Sequence, residues 1–320
     1  MLTKINSKQS KQCKQLKPHQ GIGVFILVIL VMLFVAAPIQ MALGMYGVAL
    51  TEVILLLVAI IPAILFKANL KEIFPLKKPL LREIFGVLLI WAGSYVAVIL
   101  ITLIIGYFFP QGLTEVSSGL QNVFTSVPMW IAFIIIAVMP AICEEALHRG
   151  LILSSLGSVN NKWLRVLYMG IIFGIFHLDP VRFIPTAILG MALSYVMIET
   201  RNMILPIIFH FVNNGLATLI SFTSKSQPTA VDMNSGMMLY GIATYFIIGA
   251  VVPFLLLFGS RLIHRREARN EVEDAIMKQK KEKKINIVAG VCSGLMILIG
   301  IVIMAYGINT VPITDLIKPK

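Results

Sequence analysis

Long uncharged apolar runs are the feature of this sequence that most restricts its fold. The 320 residues are 58% hydrophobic and only 13% charged, and the mean hydropathy is +0.89. A soluble domain is about 45–50% apolar and about 25% charged. The apolar residues fall in runs of about 20, the length that a helix needs to cross a hydrocarbon core of about 30 Å. We therefore predict an all-α, polytopic transmembrane helix bundle in the cell membrane.

The bundle is predicted to contain eight or nine helices around an intramembrane polar chamber. The apolar segments are 21–44, 48–66, 84–108, 127–143, 166–178, 183–199, 203–222, 239–259 and 286–307. Segment 166–178 is short for a full crossing, so we expect it inside the bundle, where protein or a water-filled cavity surrounds its end.

The distribution of charge predicts the orientation of the chain. The net charge is +12, and the basic residues concentrate in short loops and at the N-terminus. Because cytoplasmic loops carry the excess of Lys and Arg, the N-terminus is predicted to be cytoplasmic. The stretch 110–126 carries only Glu115 and is predicted to be an external loop. No basic patch alternates with aromatic residues, so no nucleic acid is expected as a partner.

The first motif with ionisable residues is Glu144-Glu145-x-x-x-Arg149. Glu145 and Arg149 are four residues apart, so they share a helical face and can form an ion pair. Glu144 points about 100° away and stays free for chemistry. A charged side chain at the centre of a membrane helix costs roughly 2.5–3.5 kcal/mol, so such residues are candidates for function. His148 lies between the motif residues and is expected to face a loop.

Two further motifs place imidazole and amide groups in membrane helices. They are Phe173-x-x-x-His177 and His210-x-x-x-Asn214, and the two named residues of each share a helical face. A carboxylate and an imidazole can together deprotonate water, while a second imidazole and an amide can hold an oxyanion. Alternatively, Glu144, His177 and His210 could bind one zinc ion with an open coordination position. Both alternatives predict hydrolysis of an amide by activated water.

Together the three motifs resemble the signature of the CPBP family of intramembrane proteases. This family includes type II CAAX prenyl endopeptidases and abortive-infection and bacteriocin-immunity relatives. Its signature is Glu-Glu-x-x-x-Arg, Phe-x-x-x-His and His-x-x-x-Asn, in that order, and no motif position of this chain departs from it. The resemblance covers roughly residues 125–222. Each motif alone is weak, but three in order on membrane helices are specific.

The resemblance implies a role for each site residue. Glu144 and His177 would activate the catalytic water, His210 and Asn214 would stabilise the oxyanion, and the ion pair of the first motif would support the site. The family is commonly labelled metalloprotease, which leaves one divalent metal such as zinc as the candidate cofactor.

The expected enzyme is an endopeptidase whose partners are the lipid bilayer and a peptide or membrane-protein substrate. The lysine-rich composition and the immunity-type relatives favour a bacterial host, where prenylated C-terminal cysteines are uncommon. Because Glu144 and Glu145 fall near the inner end of segment 127–143, we expect access from the cytoplasm or laterally from the bilayer. Two alternatives stay open: a bacteriocin-immunity or scaffold protein that does not cut, and a transporter, for which repeats and paired broken helices are lacking.

These predictions divide the chain into four parts. A basic cytosolic leader covers residues 1–20, N-terminal transmembrane helices cover 21–124, and the catalytic core covers 125–222. Further transmembrane helices occupy 223–320, with a charged cytosolic connector at 261–285.

Overall fold

The computed structural model describes residues 15–223, 235–264 and 272–310, and the regular secondary structure of these ranges is helical. A single helical turn, Leu70–Ile73, lies between the second and third long helices. The long helices are α1 (Pro18–Leu43), α2 (Met45–Leu65), α3 (Leu81–Phe108), α4 (Pro110–Phe124), α5 (Met129–Ser158), α6 (Lys162–Phe176), α7 (Pro180–Thr200), α8 (Ile204–Thr223), α9 (Ser235–Gly249), α10 (Val252–Ile263) and α11 (Val272–Thr310).

The lengths of these helices confirm a multi-pass helical membrane bundle. In the described part of the chain, 7 helices are long and apolar enough to cross a membrane, or up to 8 if the bent pair α9–α10 counts as one span. Helix α6 has 15 residues, which extend about 22 Å at 1.5 Å per residue. That is less than the hydrocarbon thickness of about 30 Å, as the sequence predicted for this segment.

Helix α5 is the centre of the bundle. In its most apolar 18-residue stretch, 50% is buried inside the protein, against 17% in the corresponding stretches of α1 and of the last span. Its inner face carries Leu147, Leu151 and Ile152, which share one core cluster with Val28 of α1 and Leu55 of α2. The outer helices instead expose large apolar side chains, as expected where lipid covers them.

The predicted end of segment 127–143 is wrong. Helix α5 continues through both glutamates to Ser158, so Glu144 and Glu145 lie at the middle of a 30-residue helix. Arg149 of the same helix and His210 of α8 pair with Glu145, which allows the helix to continue through this buried charge. The predicted cytoplasmic access, which relied on a helix end at this point, therefore loses its support. Two π-helical segments, Ile134–Val138 and Ala146–Ile152, flank the glutamates, a deviation that often accompanies functional sites.

The predicted external loop 110–126 is mostly helical, because it forms α4. Pro110 occupies the first turn, where its fixed φ and missing N–H are tolerated. Gln121 Nε2 donates a hydrogen bond to the carbonyl oxygen of Ser221 at 2.8 Å, which ties α4 to α8. Apolar residues recur every three or four positions along α4, the pattern of a helix that lies along a membrane surface.

Several predicted parts of the chain fall outside the described residues. These are residues 1–14 of the leader, 224–234 and 311–320 of the C-terminal part, and 265–271 of the connector. The remainder of the connector belongs to α10 and α11, and α11 continues from Val272 into the last span without a break.

Candidate active site

Glu145 and Arg149 form the predicted ion pair at the centre of the bundle. Arg149 Nη1 donates to Glu145 Oε1 at 2.8 Å, and neither side chain has any solvent exposure. Arg149 Nη2 donates to the carbonyl oxygen of Gly190 on α7 at 3.1 Å. The guanidinium carbon lies 4.4 Å from the centroid of the Phe173 ring. The arginine therefore joins three helices, α5, α6 and α7.

His210 on α8 connects the two glutamates of α5. Its Nδ1 lies 2.8 Å from Glu145 Oε1, the oxygen that also binds Arg149, and its Nε2 lies 3.9 Å from Glu144 Oε2. A carboxylate only accepts, so Nδ1–H is the donor. The sequence does not predict this contact, because His210 and Glu145 are 65 positions apart and helical periodicity relates only residues a few positions apart.

His177 lies at the end of α6, where a tight turn leads into α7. Its Nδ1–H donates to the carbonyl oxygen of Phe173 at 2.8 Å, so Nε2 of the neutral ring is left with its lone pair. Leu178 follows with φ of 52°, and the Asp179 side chain then caps α7 by accepting from the N–H groups of the first turn. This turn fixes the position of the imidazole.

Phe173 is the aromatic side chain at the centre of the site. Its ring centroid lies 4.9 Å from that of His177 and 6.0 Å from that of His210, in both cases edge to face. With Arg149 against its face, the ring contacts one residue from each of the three motifs. The sequence predicted Phe173 as a packing residue beside His177 on one helical face, and the structure adds its contacts with Arg149 and His210.

Asn214, one turn after His210, is held by the backbone of α5. Its Nδ2 donates to the carbonyl oxygen of Ile136 at 3.0 Å, and its Oδ1 accepts from Asn213 Nδ2 at 3.2 Å. Since a primary amide has two N–H donors, one remains for a substrate.

The expectation that His148 faces a loop is wrong. Its side chain is fully buried, because α5 does not end at the first motif. Nδ1–H donates to the carbonyl oxygen of Glu144 at 2.9 Å, and the ring packs edge to face against Phe173 and Phe176 at 5.0 and 4.8 Å. His148 Nε2 has no hydrogen-bond partner among the described residues.

Two charged residues near the site were missed by the sequence analysis. Arg182, in the first turn of α7, lies within electrostatic reach of Glu144, His177 and Asp179. Glu52, on α2, lies within electrostatic reach of Glu144. The sequence could have indicated Glu52 as a candidate site residue, because it is a lone carboxylate inside the apolar segment 48–66.

The predicted metal ligands Glu144, His177 and His210 carry donors that suit zinc. However, no group of three His, Cys, Asp or Glu side chains in the described ranges is placed to hold a metal ion. The Nδ1 hydrogen bonds of both histidines leave each Nε2 as the possible ligand atom, as is usual for metal-binding histidines, and His210 Nε2 lies 3.9 Å from Glu144 Oε2. Because no third ligand is grouped with these two atoms in the described residues, the arrangement does not fit a three-ligand centre, and no step through a metal follows from it.

Fold and site together define an integral membrane protein with a polar site among its spans. Residues 126–216 match the family model described as type II CAAX prenyl endopeptidase Rce1-like. This match confirms the resemblance to the CPBP proteases over the matched region. No curated protein and no solved structure matches the chain.

Proposed function

We propose that this protein is an intramembrane endopeptidase that hydrolyses a peptide bond of a membrane-associated protein or peptide. The observation that carries the proposal is the position of His210, which lies within 4 Å of both glutamates of the first motif and beside the Phe173 ring of the second. Residues from three separate helices thus form one cluster of two glutamates, an imidazole and an aromatic ring. The transporter alternative is less favoured, because residues 126–216 match a family model of endopeptidases.

In the proposed reaction, Glu144 and His177 activate water. Glu144 Oε2 is buried without a hydrogen-bond partner in the described protein, and His177 Nε2 presents a lone pair. Either atom can accept a proton as the water oxygen bonds to the carbonyl carbon of the substrate.

The tetrahedral oxyanion then needs hydrogen-bond donors. The free N–H of Asn214 is one, and His210 Nε2–H is the other when the imidazole carries both protons. The proton taken from water passes to the leaving nitrogen, the C–N bond breaks, and a carboxylic acid and an amine are released. The Glu145–Arg149 pair holds His210 and Phe173 in place.

The test compares cells that express the wild type, Glu144→Ala or Glu83→Gln, at matched membrane levels. Glu83 is buried and accepts from the backbone N–H of Leu80 at the start of α3, so it controls for substitution of a buried glutamate. New N-termini of membrane proteins are labelled and identified by mass spectrometry. We expect cleavage products with the wild type and Glu83→Gln, and at least about 100-fold less with Glu144→Ala. Full cleavage by Glu144→Ala would refute the proposal.

Metal use and substrate class remain predictions with their own tests. Phenanthroline should abolish cleavage if a zinc ion is required, and should leave it unchanged in the metal-free mechanism. The sequences at the cleavage sites will show whether the substrate is a C-terminal CAAX-type segment or an internal peptide bond.

A further inference from the structure

Glu52 is a buried carboxylate in the membrane-spanning helix α2, outside the region that matches the family model. Its side chain is 5% exposed, and Oε2 has no hydrogen-bond partner in the described ranges. Its neighbour Thr51 differs, because its hydroxyl donates to the Gly47 carbonyl oxygen at 2.9 Å and accepts from Gln40 at 3.0 Å. A buried polar group without a partner is costly, so Glu52 needs a ligand that supplies a donor.

The helix that carries this carboxylate packs against the helix of the candidate active site. Helix α2 packs against the part of α5 that contains Cys143 and Glu144. Glu52 lies within electrostatic reach of both residues. Glu144 is 8% exposed, and its Oε2 likewise has no hydrogen-bond partner in the described protein.

The two carboxylates differ from Glu145 in what surrounds them. Glu145 accepts hydrogen bonds from Arg149 and His210. By contrast, the unpaired Oε2 atoms of Glu52 and Glu144 lie on packed helices, so one molecule with two donors could serve both. A water molecule has two O–H donors and still presents a lone pair, and buried waters typically join polar groups that lack other partners.

We propose that Glu52 is a further catalytic residue, whose carboxylate holds the nucleophilic water together with Glu144. This rests on the proposed peptidase function. One O–H of the water donates to Glu52 and the other to Glu144, so the oxygen lone pair is directed at the substrate carbonyl. When the oxygen bonds to the carbonyl carbon, Glu144 receives one proton, and Glu52 keeps its hydrogen bond to the remaining O–H.

The test uses the purified full chain in liposomes and a peptide that spans the most abundant cleavage site found in cells. The variants are Glu52→Leu, which removes the acceptor at similar volume, and Glu52→Gln, which keeps an acceptor oxygen. Glu83→Gln is the matched control and Glu144→Ala the inactive reference. We expect kcat to fall about 100-fold in Glu52→Leu, because the water is misplaced, with KM within about twofold of the wild type. Glu52→Gln should recover at least a tenth of wild-type kcat.

Thermal unfolding in detergent separates this role from a purely structural one. If the role is catalytic, the melting temperature of Glu52→Leu should be no lower than that of the wild type. If Glu52→Leu keeps wild-type kcat while Glu144→Ala is inactive, the role of Glu52 is refuted and the peptidase function stands. The role of Glu52 would also be refuted if Glu52→Leu and Glu52→Gln lost the same fraction of kcat and both had a lower melting temperature than the wild type. If Glu144→Ala keeps full activity, the peptidase mechanism itself fails.

Discussion

The buried ion pair of Arg149 offers the sharpest test of how this site is held together. Substitution of Arg149 by Met removes its hydrogen bonds to Glu145 and to the Gly190 carbonyl oxygen, and its contact with the Phe173 ring. Both partners of the pair have 0% exposure. Removing one partner of a buried pair leaves an uncompensated charge and costs about 3–5 kcal/mol of unfolding free energy. His210 lessens this loss only in part, because it already binds the same carboxylate oxygen.

The matched control is Lys162→Met, which breaks the Lys162–Glu199 pair at 2.6 Å, whose side chains are 37% and 9% exposed. A partly exposed pair of this kind should contribute about 0–1 kcal/mol. Unfolding free energies can be measured by titrating mixed micelles with SDS and following the helical circular dichroism signal.

A double-mutant cycle with Glu145→Gln completes the test. The double variant has no unpaired buried charge, so it should be more stable than the sum of the single losses by about 1–3 kcal/mol. Additivity within about 0.5 kcal/mol, or an Arg149→Met loss no larger than that of Lys162→Met, would contradict the argument.

Two further predictions follow from close packing around the site. A Cβ at Gly190 would lie 2.7 Å from Phe173 Cβ, so Gly190→Ala should lower stability by about 1–3 kcal/mol and displace the Phe173 ring. Gly119→Ala, where nothing lies within 4 Å, is the control, and equal melting temperatures for the two variants would contradict this prediction. Because Nδ1–H of the fully buried His148 donates to the Glu144 carbonyl oxygen, His148→Phe removes a buried hydrogen bond and should lower stability by about 1–3 kcal/mol, while cleavage stays intact. Loss of cleavage in correctly folded His148→Phe would place His148 in the reaction.

Patterns among residues close in sequence predicted the membrane helices and the ion pair between Glu145 and Arg149. Uncharged runs of about 20 residues predict membrane helices, because length and the exclusion of charge are all that the bilayer requires. The i, i+4 spacing of Glu145 and Arg149 predicted their ion pair, since both lie on one helical face. The order of the three motifs likewise predicted the family that residues 126–216 match.

Local patterns failed wherever a residue's environment came from another helix. The first motif was expected at a helix end, since charges are costly in lipid. However, α5 continues to Ser158, because Glu145 pairs with Arg149 and His210 inside the bundle. His148 was expected in a loop for the same reason and is instead fully buried.

The sequence by itself therefore determined which segments are membrane helices and which residue types they carry into the bilayer. Only the tertiary structure decided that His210 would share an oxygen of Glu145 with Arg149, and that the helix of Glu52 would pack against the segment of α5 that contains Glu144. The physical reason is that hydropathy and helical periodicity depend on neighbours within a few positions along the chain. The partner of a buried charge, by contrast, depends on which helices pack together.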